Sequence, residues 1–283
     1  MRTSSAVAVA STFPPRVRLP RLNRVLTLVR REYASRRTYR LAFLLDLMFG
    51  IANLLVYYFI SRTLEVAAGS NLGVPSYFAY ALVGIAITNV IGAASTGLAY
   101  RIREEQFTGT LEALMVQPVT LSELSAGLAG YPFLFSMGRA AIYILVGGSL
   151  LGIDFGRTDW VGFAVMLLVS ALAFGALGII LGGVMLVVKR GEALVGLFTY
   201  ALGILGGAFF PISALPSWLE PIARIVPTRF AFEGLRRAIF LGEHWARDAL
   251  ILLVMGIVAL PLATYFFSRA VDHTRRTGTL TQY

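Results

Sequence analysis

Six apolar segments, each close to twenty residues long, divide this 283-residue chain. A helix needs about 20 apolar residues to cross the hydrocarbon core of a bilayer, so each segment can form a span. The apolar runs are continuous rather than alternating, which predicts helices and not the strands of a membrane barrel. The predicted spans are Leu41–Ile60, Phe78–Ala99, Ala126–Leu151, Trp160–Val188, Ala193–Phe210 and Ala249–Phe267. The sequence therefore predicts an all-α polytopic membrane protein with six transmembrane helices.

The composition excludes several other classes of protein. Hydrophobic residues make up 57% of the chain and charged residues only 14%, whereas about 25% is charged in a soluble domain. One water-soluble core cannot hide so much apolar surface, which excludes a soluble enzyme and a disordered adaptor. The chain has no cysteine, so it has no disulfide, no cysteine-based metal site and no thiol nucleophile.

Most of the net positive charge belongs to the N-terminal arm. Residues 1–40 contain ten arginines and one acid, Glu32. A tail at 1–20 is expected to be disordered. Segment 21–40 then places arginines largely away from one apolar helix face, which comprises Leu22, Val25, Leu26, Val29 and Tyr33. This pattern predicts an amphipathic cytoplasmic helix on the membrane surface, with a solvated basic arm as the alternative. Because the rest of the chain is nearly neutral and apolar, membrane lipid is the expected partner and nucleic acid is not.

The distribution of basic residues predicts the orientation. With the N-terminus inside, segments 1–40, 100–125, 189–192 and 268–283 hold 17 basic residues, and the outer segments hold 7. Cytoplasmic loops carry an excess of Lys and Arg, so both termini, including a tail at 271–283, are predicted to be cytoplasmic. The expected location is the cell (inner) membrane.

The cytoplasmic loop after the second span is longer than a turnaround requires. Its apolar residues recur at helical spacing and its acids cluster, which predicts a short amphipathic helix at about 104–117 that ends before Pro118. The residues concerned are Glu104, Glu105, Phe107, Leu111, Glu112, Leu114 and Met115. Such a surface suits docking of a soluble partner, and a surface helix resting on lipid is the alternative.

The outer stretch 211–247 is rich in proline and also apolar. Thr228–Leu241 reads as a short helix, with Gly242 just past its end. About 14 residues cannot cross a bilayer, so an interfacial or re-entrant helix is expected. Irregular backbone at membrane depth persists only when it is buried in protein or lines a wet cavity, which indicates the mouth of a pathway.

Two charged residues fall inside predicted spans. Asp46 lies near the inner end of the first span and Arg139 near the middle of the third. Charge in lipid costs at least about 2.5–3.5 kcal/mol, so both should face protein or water. A polar lining for substrate, a static interhelical tie and an Asp46–Arg139 pair are the open readings, although the two depths differ by about 10 Å.

Two motifs in this order resemble the permease subunits of type-2 ABC exporters. The first comprises Gly109, Thr110, Leu111 and Glu112, followed by Leu114 and Pro118. The second comprises Gly206, Gly207, Phe210, Pro211, Leu215, Pro216, Trp218, Leu219 and Pro227, and ends in Glu233, Gly234, Leu235 and Arg236. The resemblance covers roughly residues 20–270 and includes the six-span order and the basic N-terminus.

The resemblance implies a half-transporter that pairs with a second permease above two separate ATPase subunits. The second permease is expected to be an identical copy, which gives a homodimer, with a similar permease as the alternative. It implies that segment 104–117 is a coupling helix seated on the ATPase, and that segment 211–247 forms outer re-entrant helices that gate exit. The implied coupling residues are Glu104, Glu105, Phe107, Gly109, Thr110, Leu111, Glu112, Leu114 and Pro118. The implied outer gate comprises Phe210, Pro211, Pro216, Trp218, Pro227, Glu233 and Arg236.

The chain has no ATP-binding loop of its own. A Walker A motif needs a lysine that reaches the phosphates, and the one lysine, Lys189, lies outside any such motif. No cofactor, catalytic residue or metal site is therefore expected here, and ATP and Mg belong to the partner ATPase. A membrane enzyme would need catalytic residues that converge on one site, and the sequence shows no such cluster. The two histidines, His244 and His273, lie outside the predicted spans.

The exported molecule is expected to be an amphipathic small molecule, drug or lipid, with a polysaccharide as the alternative. An ion-coupled secondary transporter is the rival mechanism, because Arg139 lies within a span. A scaffold would explain docking but not the apolar outer segment.

Overall fold

The computed structural model describes residues 40–67, 74–109, 121–188 and 191–277, together with Leu26, Thr27, Val29, Arg30 and Tyr33. The described residues are helical and contain no strand, as the apolar runs predict. The main helices are α1 (Arg40–Ala67), α2 (Tyr77–Phe107), α3 (Leu121–Ile142), α4 (Trp160–Val187), α5 (Gly191–Leu205), α6 (Glu220–Ile225), α7 (Pro227–Arg236) and α8 (Ala246–Thr277). Single π-helical turns continue α3 over Tyr143–Gly147 and α7 over Arg237–Leu241.

Four segments of the described residues are long and apolar enough to cross a membrane. They are Tyr77–Ile102, Gly130–Leu150, Trp160–Val187 and Ala246–Thr274. The apolar parts of α1, Leu47–Thr63, and of α5, Ala193–Leu205, are shorter. The helical class is thus confirmed, four of the predicted spans are helices long enough to cross a membrane, and the total of six spans stays a prediction.

Helix α2 is the centre of the bundle. In its apolar stretch, 78% of the residues are buried inside the protein, against 22% in the apolar stretch of α8. It packs against α3 and α4, and α4 packs in turn along α8. Apolar side chains can also face lipid, so apolarity alone does not place α2 at the centre; close approach does, as where Gly178 of α4 lies against the carbonyl of Ala94.

Two helix ends differ from the prediction. Helix α2 continues past Ala99 to Phe107, and the backbone then turns at Gly109 with φ +70°. The start of the predicted helix at 104–117 therefore belongs to α2, whereas Thr110, Leu111, Glu112, Leu114 and Pro118 lie outside the described residues. Helix α5 ends at Leu205 and not before Pro211, because Gly207 adopts φ +81°, a conformation that glycine tolerates without steric cost.

The terminal segments are described only in part. Most of the predicted amphipathic helix 21–40 lies outside the described residues. Within it, Val29 lies against Gly130 of α3, and the ring centroid of Tyr33 is 6.1 Å from that of Tyr131. Both side chains belong to the predicted apolar face, so this face contacts protein at α3. At the other end, α8 continues to Thr277, into the segment predicted as a tail.

Asp159 ties the loop before α4 to the start of α8. Its Oδ1 accepts hydrogen bonds from the backbone N–H groups of Val161 and Gly162, both at 3.0 Å, and so caps α4. Its Oδ2 accepts a bond of 2.7 Å from Nε1 of Trp245. The Asp159 N–H donates to the carbonyl of Ala238 at 2.9 Å, which fastens the π-helical turn after α7.

Stability should depend on pH through Asp159. The Gly162 N–H first, and then Trp245, hold the pKa of this carboxyl below its usual range. A depressed pKa means that the stabilisation is present above the ordinary aspartate pKa, about 4, and is lost as the pH falls through the lower folded-state pKa. We expect Asp159→Ala to lower the melting temperature at pH 7, and the difference from wild type to shrink below about pH 4.

Asp154→Ala is the matched control, because among the described residues the Asp154 carboxylate accepts only from Gly156, in the same exposed loop, at 2.8 Å. Thermal unfolding in detergent across this pH range checks the expectation. A wild-type advantage over Asp159→Ala that stayed constant down to pH 3 would contradict it.

Candidate functional site

The segment after α5, which is predicted to lie on the outer side, is held in place by its own helix α7. The hydroxyl of Thr228, in the first turn, donates to the carbonyl of Leu202 in α5 at 2.7 Å. The helix ends after its π-helical turn at Gly242, where φ is +70°. The predicted helix over Thr228–Leu241, with Gly242 beyond it, is therefore confirmed. Its placement at membrane depth stays a prediction.

Arg236 is the most tightly enclosed charge in this segment. The residue is 5% exposed. Its Nη2 donates to three carbonyl oxygens, those of Tyr80 at 3.0 Å, Gly207 at 3.0 Å and Ala208 at 2.9 Å. Its guanidinium carbon lies 3.4 Å from the ring centroid of Tyr80, a close cation–π contact. One side chain of α7 thereby joins α2 to the turn that follows α5.

The early end of α5 makes these carbonyls available. Inside a helix, the carbonyls of Gly207 and Ala208 would bond to N–H groups one turn further on. Because the helix stops at Leu205, both are free to accept from Arg236, and Gly207 also accepts from the Tyr80 hydroxyl at 3.0 Å. The Ala208 carbonyl lies so close to Gly84 of α2 that a Cβ there would overlap it.

Four further charges form a chain beside Arg236. Arg229 donates to Glu233 at 2.9 Å, Arg237 to the same carboxylate at 3.3 Å, and Arg237 also to Asp248 of α8 at 2.7 Å. The prediction placed Glu233 within reach of both Arg236 and Arg237. It pairs with Arg237 and Arg229, because Arg236 is drawn inward by the carbonyls.

A cavity of about 390 Å³ opens beside these groups. We call it the outer cavity. Its lining residues are Val74, Tyr80, Gly206, Pro211, Ile212, Ser213, Glu233, Arg236, Arg237 and Leu241. The cavity thus combines two guanidinium groups and one carboxylate with apolar walls.

The structure brings only some of the predicted gate residues together. Pro211, Glu233 and Arg236 line the outer cavity. Pro216 and Trp218 lie exposed on the turn before α6 and outside its lining. Phe210 is half-buried beside Pro211, and Pro227 forms the first turn of α7. Side chains of α2, α7 and the turn after α5 therefore form the cavity wall, and a role of these residues as a gate stays a prediction.

Tyr80 and Asp248 are neighbours of this charged cluster that sequence reasoning missed. Tyr80 is one aromatic residue in an apolar helix, 156 positions before Arg236. Asp248 lies in the first turn of the last helix and is 5% exposed at its side chain. A carboxylate in the first turn of an apolar helix is a usable signal for Asp248, but Tyr80 carries no comparable one.

The opposite end of α2 carries the described part of the predicted coupling site. Arg101 and Glu104 form an ion pair there. Phe107 is 68% exposed, and Glu104 is exposed beside it. An apolar ring and a carboxylate are thus presented together where the helix ends at Gly109.

Arg139 contacts a polar residue that the sequence did not single out. Its Nη2 donates to Oδ1 of Asn89 in α2 at 3.3 Å, and its guanidinium carbon lies 6.0 Å from the ring centroid of Tyr143. The side chain of Asp46 in α1 lies outside the described residues, so an Asp46–Arg139 pair stays a hypothesis. The Asn89 contact shows that Arg139 faces the protein interior.

The sequence is similar to those of known membrane transport proteins. The chain matches the ABC-2 type transporter family over residues 23–240, a range that includes both motifs and α2 through α7. It is 25% identical over 192 residues to the inner membrane transport permease YadH of Escherichia coli K12, covering 68% of this chain and 72% of YadH.

Two relatives come from Bacillus subtilis. The putative transport permease YvfS is 22% identical over 213 residues, which cover 74% of this chain and 84% of YvfS. The linearmycin resistance permease protein LnrN is 28% identical over 179 residues, which cover 62% of this chain and 42% of LnrN. The chain belongs to the ABC-2 type transporter family and is a membrane transport permease.

Proposed function

We propose that this permease is the membrane-spanning subunit of an ATP-driven exporter, powered by a separate ATPase chain, and that it exports an amphipathic small molecule, drug or lipid. It would act as a homodimer in the cell (inner) membrane, with both termini cytoplasmic. ATP and Mg would bind to the ATPase, in keeping with the lack of a Walker A motif in this chain.

The continuity of α2 is the observation that carries this proposal. The helix has 31 residues, which correspond to about 45 Å at 1.5 Å per residue, more than the thickness of a bilayer core. One end presents Phe107 and Glu104, and the other contributes Tyr80 to the outer cavity. A displacement imposed on the Phe107 end would therefore be felt at the contacts of Arg236 without an intervening hinge.

This geometry favours a mechanism of alternating conformations. ATP binding to the partner would favour one position of α2, and hydrolysis would release it. The three carbonyl contacts of Arg236 belong to two different elements, α2 and the turn after α5. A relative shift of these elements would change the contacts and with them the shape of the outer cavity.

The amphipathic substrate is supported by the walls of the outer cavity and by one relative. Charged and apolar side chains line the same cavity. The name of LnrN refers to resistance to linearmycin, so a permease similar in part to this chain is associated with a drug.

Phe107→Ala should weaken the ATPase interaction. Removing a phenylalanine ring from an apolar groove costs about 1.5–3 kcal/mol, or roughly ten- to a hundredfold in affinity. Tagged protein purified from its host in mild detergent is expected to bring down a Walker A ATPase, and the variant much less of it. Tyr100→Ala is the matched control, because Tyr100 is also an exposed aromatic of α2, two turns deeper toward the membrane.

Both variants should elute from size exclusion as wild type does, which separates docking from folding. A chain that purifies without an ATPase and still moves solute in vesicles driven by an ion gradient would refute the proposal. That result would favour the ion-coupled secondary transporter.

A further inference from the structure

The charges around the outer cavity do not balance among the described residues. Four of them form a chain of ion pairs in which positive and negative charges alternate, so their charges sum to zero. They are Arg229, Glu233, Arg237 and Asp248. Arg236 takes part in none of these pairs. One positive charge is therefore left at the wall of the cavity.

The partners of Arg236 hold it without neutralising it. Its three described hydrogen bonds come from Nη2 and end on uncharged carbonyls. Its Nε is buried and has no hydrogen-bond partner within the described ranges. A guanidinium stays protonated in proteins. A buried charge is costly unless a counter-ion accompanies it, so the site favours an anion.

The cavity offers suitable geometry for such an anion. Arg237 also lines it, with 36% of its side chain exposed. Guanidinium groups present a planar array of donors that matches the oxygen atoms of phosphates and carboxylates. A liquid water takes up about 30 Å³, so the outer cavity has room for an oxyanion together with several waters.

Apolar residues complete the lining and suggest what the anion is attached to. Val74, Pro211, Ile212 and Leu241 lie in the same wall, and Leu241 is exposed beyond it. A free inorganic ion would make no use of these side chains. A molecule with an anionic head and an apolar body would contact both parts.

We propose that the outer cavity binds the anionic head group, a phosphate or a carboxylate, of an amphipathic molecule, and that Arg236 and Arg237 contact its oxygen atoms. The molecule is either the exported solute or a lipid of the outer leaflet. The first of these sources rests on the proposed function, and the binding site itself does not.

Binding is measured with dodecyl phosphate as the probe and dodecyl maltoside as its uncharged counterpart. The full chain is reconstituted in phosphatidylcholine nanodiscs, and calorimetric titration is corrected with empty nanodiscs. Wild type is expected to bind dodecyl phosphate in preference to dodecyl maltoside. Glu233→Gln removes the negative charge from the lining and should tighten dodecyl phosphate binding about tenfold, because like-charge repulsion is lost.

Arg237→Gln should weaken the binding of dodecyl phosphate about tenfold, since one of the two guanidinium groups is removed. Arg224→Gln is the matched control and should leave binding unchanged, because Arg224 pairs with Glu220 outside the cavity lining. Arg237→Gln also deprives Asp248 of its partner and can fail to fold, and Glu233→Gln then decides the question. Equal affinity for the charged and uncharged probes, or an unchanged affinity in Glu233→Gln, would overturn the proposal.

A second experiment distinguishes an exported solute from a membrane lipid as the source of the anionic head group. Replacing part of the phosphatidylcholine by phosphatidylglycerol should weaken apparent dodecyl phosphate binding if the lipid occupies the site, and leave it unchanged if an exported solute does. Either result supports an anion site. The assay needs neither ATPase nor transport, so its failure would leave the exporter proposal standing, and failure of export would leave the binding result standing.

Discussion

Replacing Arg236 by Met is expected to destabilise the folded permease by about 3 kcal/mol or more. The substitution removes the donor to three carbonyl oxygens at the junction of α2, the turn after α5 and α7. Hydrogen bonds to a charged group contribute about 1.5–3 kcal/mol each, and a buried carbonyl left unpaired carries a further penalty. The cation–π contact with Tyr80 is lost as well.

The measurement is the melting temperature and the yield of monodisperse protein in detergent. Arg224→Met is the matched control, because Arg224 lies in the same outer segment but forms an exposed ion pair worth about 0–1 kcal/mol. Arg236→Lys should fall between the two, since an ammonium keeps the charge but not the planar fork. Wild-type stability in Arg236→Met would show that the three carbonyls find other partners.

Gly178→Ala is expected to disrupt the central helix packing. Gly178 lies where α4 crosses α2, and a Cβ at this position would overlap the carbonyl oxygen of Ala94. The obstacle is backbone rather than a flexible side chain, so the two helices must move apart. Overpacking of this kind costs about 1–3 kcal/mol and can cost more where backbone has to shift.

Gly175→Ala provides a control with the same chemical change on the same helix. Gly175 lies about one turn before Gly178, and a Cβ there meets no atom within 4 Å. It should be neutral or stabilising, because alanine favours a helix over glycine by about 1 kcal/mol. Thermal unfolding and size-exclusion profiles compare the two variants, and equal behaviour would refute the close crossing of α2 and α4.

The contacts of Arg236 and Gly178 show why α2 is central to the molecule. Gly178 lets α4 approach it closely, and Tyr80 and Gly84 lie against Arg236 and the turn after α5. Small residues allow helix backbones to approach each other in membranes, where hydrophobic association contributes little. A continuous α2 that its neighbours cover suits the proposed transmission from Phe107 to the outer cavity.

Local patterns in the sequence were sufficient for the helices. Continuous apolar runs predict α2, α3, α4 and α8 because a bilayer requires helices of that length. The spacing of apolar residues and Gly242 also predict the helix after Pro227, with its end. The end of α5 was predicted wrongly, because Pro211 is the stronger sequence signal and the effect of Gly207 depends on its surroundings.

The two motifs were also sufficient to indicate the family, which the match over residues 23–240 confirms. These motifs show which residue types occur at which spacing, but they do not predict which side chains contact each other in the folded protein. Glu233 and Arg236 could be recognised as a charged pair on one helix, and yet they do not pair in the folded protein.

The sequence by itself determined the helical class, the apolar segments and the charged helix beside the last span. These follow from the spacing of residues within one segment, where the physical interaction is local. Only the tertiary structure decided that Arg236 is bound by Tyr80, Gly207 and Ala208, and that Asp159 meets Trp245. The reason is physical: a backbone carbonyl is the same in every residue, so which of them lies free beside a distant guanidinium depends on how the helices pack.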